Sequence, residues 1–569
     1  MTFFLIWYND IGKKQEKTLF LLFSLFFSLS ACQNPQKPEI LPDGLSRWHN
    51  TPLVKISSGW IQGTYEKGIY SFKGIPYATP PIKDLRWKAP RPHPPWENIY
   101  QATTFRGMSP QFLLFFGWVI GDEDCLYLNI WRPQSLETNL PVYVWIHGGG
   151  NSIGSAHYVP DYDGARLAKN GNLIFVSLNY RLGLLGWFTH PSLRSGTNKD
   201  DDSGNYGTLD IIFALHWIQS NIPAFGGEPS RVTIAGESAG GLNVLSLLIS
   251  PKAKGLFHRA IIQSGYTSNI SKEEADKKAS QLIARLLVKK RRVKSLEEAY
   301  HLLRLNPSAI RDFLYTLSAK DILSILKGSM LGMIDEANLI ADGEVLPFDG
   351  FTALEKGNFS RVPVIIGNNK EETKLFLSFS RKDWDTPLYQ ALGFLGGMRW
   401  KAFYVDAIAD TLHRWGTPVY VYRFDWGSMD TNGESPLGPK EGKRLGAFHT
   451  LEIPFWLGND TIQGFFLTGR VFTKANEKGR KDLSYAMQVY LSAFVHKGIP
   501  EGENLPRWFR WKENEDHLGL LFDANKREKN IGYQTFPVTM ETLFSYIENN
   551  YSPSEQKLIR ETLGLPQSF

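Results

Sequence analysis

The chain has 569 residues, of which 42% are hydrophobic and 13% are aromatic, and its formal net charge is +6. This composition favours a large folded core and excludes a disordered or fibrous chain. The charge is small for the length, and the one basic run, residues 289–292, lies in a polar stretch typical of a helix. We therefore expect a solvated helix face there and no nucleic-acid partner.

The amino terminus has the pattern of an export signal. Three lysines within 13–17 precede an apolar run over 19–29, which is too short to span a bilayer because a spanning helix needs about 20 apolar residues. The run ends in LSAC, and small residues directly before Cys32 resemble the lipobox of bacterial lipoproteins. This resemblance implies that 1–31 is a cleaved signal peptide and that Cys32 carries the lipid that attaches the protein to a membrane of the cell envelope. The alternative is an ordinary signal peptide with a periplasmic or secreted product.

The rest of the chain divides into a short tether and one long globular part. Residues 32–51 are polar and contain prolines, as expected of a tether, and 52–569 has no internal repeat and no second linker. We therefore predict a single domain over 52–569. Its first part, 53–78, alternates apolar and polar residues between glycines and predicts short antiparallel strands.

Compact apolar runs separated by helical stretches follow, and each predicts a buried strand: 141–147, 173–179, 231–237, 259–264, 362–367 and 418–424. This alternation predicts an α/β fold with a mostly parallel sheet covered by helices on both faces. Capping boxes at Ser271…Glu274 and Ser295…Glu298 predict a helical insertion between the fourth and fifth runs. The insertion could cap a site or be a structural layer.

Two segments match the pattern G-x-S-x-G, at 236–240 and at 150–154. Ser238 follows a strand-like run and precedes an apolar helical stretch, which is the context of a nucleophile elbow. Its neighbours are small, as a strained turn with close backbone contacts requires. Ser152 lies in a glycine-rich loop with no helix directly after it. Ser238 is therefore the predicted nucleophile, and Ser152 a loop residue.

A serine nucleophile also needs donors for the oxyanion that forms when it attacks. The segment HGGG at 147–150 directly follows a predicted strand, and its glycines leave backbone N–H groups free to point at a developing negative charge. One such donor contributes about 2.7–4 kcal/mol at the transition state. A flexible glycine loop without function is the alternative for this segment.

Together with these two motifs, the chain resembles the type-B carboxylesterase and cholinesterase family from about residue 52 to at least 523. The further motifs are FKGIPYATPP (72–81), EDCLYLNIW (123–131), NYRLGLLGWF (179–188), NYGTLD (205–210), ADGEVLP (341–347) and GAFHTLEIPF (446–455). The resemblance implies an α/β-hydrolase fold, with helical insertions, and a serine carboxylic-ester hydrolase that needs no metal and no organic cofactor.

The resemblance also implies the other members of the triad. The family's acid pattern places Glu372 in VIIGNNKEET, where adjacent Glu371 is the competitor and is expected at the surface. The family's histidine motif places the base at His449, although its apolar neighbours would also suit a buried core histidine. His147 is the tempting alternative, but the family uses it to shape the oxyanion loop.

The implied mechanism is two acyl transfers through an acyl-enzyme. The oxyanion would be held by the backbone N–H groups of Gly149, Gly150 and Ala239. Two alternatives remain, an acyltransferase with the same triad and a non-catalytic surface binding protein of the cholinesterase type.

The chain departs from the family at its cysteines. Where the family pairs the cysteine of EDCLYLN with an upstream cysteine, this sequence has Ser109, so the disulfide is absent and Cys125 is expected to be a buried small residue. The segment after Ser109 is short and apolar, and Trp118 does not align with the family's choline-binding aromatic residue. We therefore assign no choline ester; the nearly neutral, aromatic-rich chain predicts small to medium uncharged esters as substrates, and no protein partner is predicted.

Overall fold

The computed structural model describes residues 39–566 apart from 114–115, 158–161, 463–466, 468 and 536. The predicted signal peptide, Cys32 and the first part of the predicted tether lie outside the described residues. The described strands are β1 (Leu53–Ile56), β2 (Gly59–Gln62), β3 (Thr64–Glu66), β4 (Ile69–Pro76), β5 (Tyr100–Gln101), β6 (Gln111–Phe112), β7 (Val119–Ile120), β8 (Tyr127–Pro133), β9 (Leu140–Ile146), β10 (Ile174–Leu178), β11 (Gly227–Glu237), β12 (Arg259–Gln263), β13 (Ile270–Ser271), β14 (Ile340–Ala341), β15 (Val364–Asn369), β16 (Val419–Phe424), β17 (Gly519–Ala524) and β18 (Lys529–Gln534).

An eleven-stranded sheet has the order β18-β17-β16-β15-β12-β11-β9-β10-β8-β4-β3. The strands from β17 to β10 in this order are parallel, and the strands at both edges are antiparallel. The six predicted apolar strands and the early antiparallel strands are confirmed. Two further strands of this sheet, β17 and β18, follow 418–424 and were not predicted from the sequence. The apolar run of β17 is short and ends at Asp523, and β18 contains few apolar residues.

The core lies on both faces of this sheet because successive strand residues point to opposite sides. Along β9, Val142, Val144 and Ile146 join one buried apolar cluster, whereas Tyr143 and Trp145 join a second cluster. Helices cover both faces, as predicted. The first cluster packs beneath the helices Tyr206–Asn221 (α3) and Ala239–Ile249 (α4), and the second packs beneath Ala165–Gly171 (α1) and Glu477–Lys497 (α15). The helix bounds are α1 (Ala165–Gly171), α2 (Gly183–Gly186), α3 (Tyr206–Asn221), α4 (Ala239–Ile249), α5 (Lys272–Lys289), α6 (Leu296–Leu305), α7 (Pro307–Thr316), α8 (Ala319–Leu323), α9 (Thr352–Glu355), α10 (Lys374–Ser380), α11 (Pro387–Lys401), α12 (Ala407–Arg414), α13 (Pro439–Arg444), α14 (Ile453–Leu457), α15 (Glu477–Lys497), α16 (Met540–Asn550) and α17 (Pro553–Leu563).

The helical insertion consists of α5 to α8, and its first two helices begin where the capping boxes predict. The hydroxyls of Ser271 and Ser295 accept hydrogen bonds from the N–H groups of Glu274 and Glu298. Buried leucines of α5 join the core, so the helices are a structural layer, and the basic run at the end of α5 is exposed as predicted. In the described part of the chain, no helix is long and apolar enough to cross a membrane.

Candidate active site

Ser238 lies in the sharp turn between β11 and α4, with φ 58° and ψ −121°. Residues with side chains rarely adopt a positive φ, and strain of this kind is concentrated at functional sites. The turn also requires small neighbours, because a Cβ on Gly240 would overlap the carbonyl oxygen of Ile146, and a Cβ on Gly236 would overlap the backbone of Gly240. The strand, turn and helix predicted around Ser238 are therefore confirmed.

The glycine loop after β9 lies against this turn. The register between β9 and β11 places Gly236 opposite Ile146, so the two strands end side by side. A Cβ on Gly148 would lie 3.1 Å from the Cβ of Ser238. Gly149 and Gly150 have φ angles of 105° and 61°, which only glycine adopts readily. The loop conformation is therefore specific to glycine and directly adjoins the candidate nucleophile.

His449 and Glu372 form a short buried pair. His449 Nδ1 lies 2.6 Å from Glu372 Oε2, and both side chains are almost fully buried. The other ring nitrogen, Nε2, faces the elbow and lies 3.2 Å from Oε1 of Glu237, the residue before the candidate nucleophile. Phe376 and Trp400 pack against the imidazole, with ring centroids 5.4 and 5.3 Å away. The imidazole is thus fixed between an acid and the strained turn.

Three buried carboxylates set the charge of the imidazole. Burial opposes protonation of His449, but Glu237, Glu372 and Glu452 outweigh it and raise the pKa of His449 to about 9. Burial also raises the pKa of Glu237, and it raises the pKa of Glu452 to about 7, with the charge of Glu372 acting in the same direction. The site therefore stabilises an imidazolium, the ion that forms when the histidine accepts a proton.

His147 does not join this pair. Its ring stacks on Tyr180 with centroids 4.4 Å apart, and its Nδ1 lies 2.8 Å from the carbonyl oxygen of Gly148. Burial lowers the pKa of His147 to about 4, so its imidazole is neutral at physiological pH. This is the loop-shaping position that the family resemblance implies.

Ser152 lies in the loop, as its sequence context predicts. Its hydroxyl donates to the carbonyl oxygens of Gly150 and Ile334, at 2.8 and 3.2 Å, and accepts from the N–H of Ile334. These bonds tie the glycine loop to the segment after α8. That segment also brings Met333 beside Gly150, so the insertion lines the site in addition to covering the core.

The expectation that Glu371 lies at the surface is wrong. Its side chain is buried, and its Oε1 forms an ion pair of 2.6 Å with Lys374. Its Oε2 accepts from the hydroxyl of Ser428 at 2.7 Å and from the N–H of Ala447 at 3.0 Å. The segment after β15 turns back into the protein, so Glu371 and Glu372 are both buried. Their carboxylates contact different partners, Lys374 for Glu371 and His449 for Glu372.

Three residues around the acid were not predicted from the sequence. The hydroxyl of Ser264, directly after β12, donates to Glu372 Oε1 at 2.6 Å, and the N–H of Asn369 donates to the same oxygen at 2.6 Å. Glu452, one turn after His449, accepts from the Asn369 amide at 2.6 Å. The position of Ser264 at the carboxyl end of a parallel strand was the signal available in the sequence.

The predicted departures from the family are visible in the structure. Cys125 is a free, fully buried cysteine, as predicted, and burial raises the pKa of its thiol while a hydrogen bond with Ser109 opposes that rise. The Ser109 hydroxyl also accepts from the N–H of Leu182 at 3.0 Å. Trp118 is 67% exposed in the β6–β7 hairpin and packs against Phe116.

The sheet and the elbow together define the class of protein. A strand-turn-helix serine, next to a glycine loop at the carboxyl ends of parallel strands, is the arrangement of an α/β-hydrolase. Among the residues that the structure describes, no group of three or more His, Cys, Asp and Glu side chains could hold a metal ion.

Comparison with known proteins defines the family within that class. Residues 50–392 and 394–536 match the model of the carboxylesterase family. The para-nitrobenzyl esterase of Bacillus subtilis (strain 168) is 34% identical over 508 residues, which cover 83% of this chain and 95% of the esterase. Carboxylesterase 1D of Rattus norvegicus is 31% identical over 541 residues, covering 82% of this chain and 89% of that protein.

Solved structures agree with this similarity. A structure of a PNB esterase superposes with a TM-score of 0.66 at 30% identity, covering 85% of this chain and 97% of the other. A carboxylesterase of Geobacillus stearothermophilus superposes with a TM-score of 0.65 at 27% identity, covering 85% and 98%. The chain belongs to the carboxylesterase family, and it is a serine carboxylic-ester hydrolase with an α/β-hydrolase fold.

Proposed function

We propose that Ser238, His449 and Glu372 form the catalytic triad of this esterase. His449 takes the proton of Ser238 through Nε2 as the serine oxygen attacks the ester carbonyl, and then passes that proton to the leaving alcohol. Water then attacks the acyl carbonyl and gives a proton to the same nitrogen; the bond to Ser238 breaks, the acid leaves, and the proton returns from His449 to the Ser238 oxygen. Glu372 stays ionised, holds the imidazole tautomer and stabilises the imidazolium.

The observation that carries this proposal is the placement of His449 between Glu372 and the elbow. One ring nitrogen is held at 2.6 Å by the acid, so the other is left to act on the turn that carries Ser238. Hydrogen bonds from Ser264 and Asn369 to the second oxygen of Glu372 hold its carboxylate in place beside His449. These contacts favour Glu372 over Glu371 as the acid, because Glu371 is committed to Lys374.

The backbone N–H groups of Gly149, Gly150 and Ala239 form the proposed oxyanion hole. Ala239 is the first residue of α4, where helix N–H groups have no partner within the helix. In the described residues, none of the three N–H groups donates a hydrogen bond. Three free donors beside one strained serine are what a tetrahedral oxyanion requires.

The substrates we propose are small to medium uncharged esters. Apolar side chains border the site on both sides, with Met333 against the glycine loop and Phe376 and Trp400 against the imidazole. Such a surface binds an uncharged acyl or alkyl group through burial.

p-Nitrophenyl esters of graded acyl length test both the activity and the substrate class. We expect turnover of the short and medium esters and a decline with the longest acyl chains. A choline ester of equal acyl length is the matched control, and it should be a poorer substrate. Failure to turn over any uncharged ester would contradict the proposal.

We also propose that the protein is an exported lipoprotein, with 1–31 as signal peptide, Cys32 as lipid attachment site, 32–51 as tether and 52–569 as the single catalytic domain. The place where the tether meets the domain supports a particular orientation. Trp48 packs against Arg132 and donates to the carbonyl of Ser135, near the amino end of β9. The candidate active site lies beyond the carboxyl end of this seven-residue strand. At about 3.3 Å per residue, the amino and carboxyl ends of β9 are about 20 Å apart. An anchor at the amino end would therefore leave the active site facing away from the membrane.

Fractionation of cells tests the anchor. We expect the wild-type protein in the membrane fraction and Cys32→Ser in the soluble fraction, because one cysteine would carry the lipid. Cys125→Ser is the matched control and should stay with the membrane. Membrane association of Cys32→Ser equal to that of the wild type would contradict lipidation.

A further inference from the structure

Two loops hold the proposed acid and base, and Glu371 touches both. The acid loop, residues 370–373, follows β15, and the histidine loop, residues 446–450, carries His449. The N–H of Glu371 donates to the carbonyl of Ala447 at 3.0 Å, and the carboxylate of Glu371 accepts from the N–H of Ala447 at 3.0 Å. A single residue of the acid loop therefore binds both backbone groups of one residue in the histidine loop.

The acid loop and the histidine loop are in close contact, in addition to the two hydrogen bonds between Glu371 and Ala447. Gly446 has φ 55°, and a Cβ there would overlap the Glu371 carboxylate, so the histidine loop lies directly on that group. The carboxylate is itself fixed by two further partners, the fully buried ammonium of Lys374 at 2.6 Å and the hydroxyl of Ser428 at 2.7 Å. Lys374 in turn donates to Gln390 of α11 at 2.7 Å.

The buried ion pair between Glu371 and Lys374 is not explained by a contribution to stability alone. Replacing a buried ion pair by apolar residues is often neutral or stabilising, so the pair between Glu371 and Lys374 is weak grounds for a stabilising role. A fixed distance between the acid and the base is a stronger reason. A misplacement of about 1 Å can cost about 10²-fold in rate, and the separation of Glu372 and His449 depends on how the two loops dock.

We propose that Glu371 is a positioning residue that sets the geometry of the Glu372–His449 pair through Ala447. The inference rests on the triad proposed above. Glu371 acts on the histidine loop and not on the imidazole, so it holds the base in place without exchanging a proton. Its loss should lower kcat and leave KM unchanged, because the apolar surfaces that would bind the ester lie elsewhere.

Two double variants of equal size isolate the hydrogen bond to Ala447. Glu371→Gln with Lys374→Met removes both charges but keeps an oxygen that accepts from the Ala447 N–H, whereas Glu371→Met with Lys374→Met removes the acceptor as well. We expect the first to retain kcat within about threefold of the wild type and the second to lose at least about tenfold, with equal KM values for a p-nitrophenyl ester. Equal kcat values in the two double variants would overturn the inference.

Asp406→Asn is the matched control for loss of a buried carboxylate. Asp406 pairs with buried Lys401 at 2.8 Å but bonds the segment at Val538 and not the histidine loop. We expect it to lower the melting temperature without lowering kcat. If the variant with two methionines does not fold, Gly446→Ala displaces the carboxylate without removing it and should lower kcat in the same way. An unchanged kcat in folded Gly446→Ala would also overturn the inference.

An NMR measurement that does not depend on ester hydrolysis tests this inference separately from the proposed function. The proton between His449 and Glu372 should give a low-field NMR resonance that the glutamine double variant keeps and the methionine double variant loses or broadens. A wild-type protein that hydrolyses no ester would contradict the proposed function, while the resonance would still report on Glu371. An identical resonance in both double variants would count against the positioning role even in an active enzyme.

Discussion

Replacing Glu237 with glutamine tests the electrostatics of the base. The charge of Glu237 is among those that raise the pKa of His449, and its Oε1 lies 3.2 Å from Nε2. Those groups together raise the pKa from 6.5 to about 9 against the effect of burial. At about 1.4 kcal/mol for each pH unit, the net preference for the imidazolium is about 3 kcal/mol. Glutamine has nearly the same shape and no charge, so Glu237→Gln should remove a large part of that preference.

The sign of the expected change follows from the role of His449. The imidazole must be neutral to accept the serine proton, so activity should rise with pH through its pKa and reach half its maximum near pH 9 in the wild type. Without the charge of Glu237 the imidazolium is less stable, and the histidine becomes neutral at lower pH. We expect the midpoint of the acidic limb to fall by about 1 to 2 pH units.

The assay is kcat/KM for p-nitrophenyl acetate measured from about pH 5 to about pH 10. Asp406→Asn, which removes a buried carboxylate that is not among the groups raising the pKa of His449, should leave the midpoint unchanged. A midpoint for Glu237→Gln that is unchanged or higher than that of the wild type would refute the account of how the base is tuned.

Two further predictions concern packing. Gly240→Ala should destabilise the protein by about 1–3 kcal/mol in thermal denaturation, because the new methyl group overlaps the Ile146 carbonyl oxygen; Gly532→Ala, where a Cβ meets only one atom at 4.0 Å, is the control and should change little. Cys125 should resist iodoacetamide in the folded protein, because its thiol is buried and its pKa is raised; mass spectrometry that finds rapid alkylation of Cys125 under native conditions would contradict this.

Much of the central sheet could be predicted because its signals are local. The continuous apolar runs at β9, β11, β12 and β15 predict buried parallel strands. The glycines around Ser238 predict the elbow, because a residue with a Cβ at Gly236 or Gly240 would overlap neighbouring backbone atoms. The strands β17 and β18 were missed because the apolar run of β17 is short and β18, which lies at the edge of the sheet, contains few apolar residues.

The surroundings of the triad could not be predicted in the same way. Ser264 and Glu372 are 108 residues apart in sequence, and they meet only because β12 and β15 are neighbours in the sheet. Glu371 was expected at the surface because an isolated glutamate usually is, and its burial depends on a lysine and a loop that pack around it. Contacts of this kind depend on tertiary packing and leave no local pattern.

Labelling with a fluorophosphonate probe tests the central claim, that Ser238 is the nucleophile, most directly. The probe reacts with an activated serine and would form a stable adduct with its oxygen. We predict that the wild type and Ser152→Ala are labelled at equal rates and that Ser238→Ala is not labelled. Labelling of Ser238→Ala at the wild-type rate, or loss of labelling in folded Ser152→Ala alone, would contradict the account.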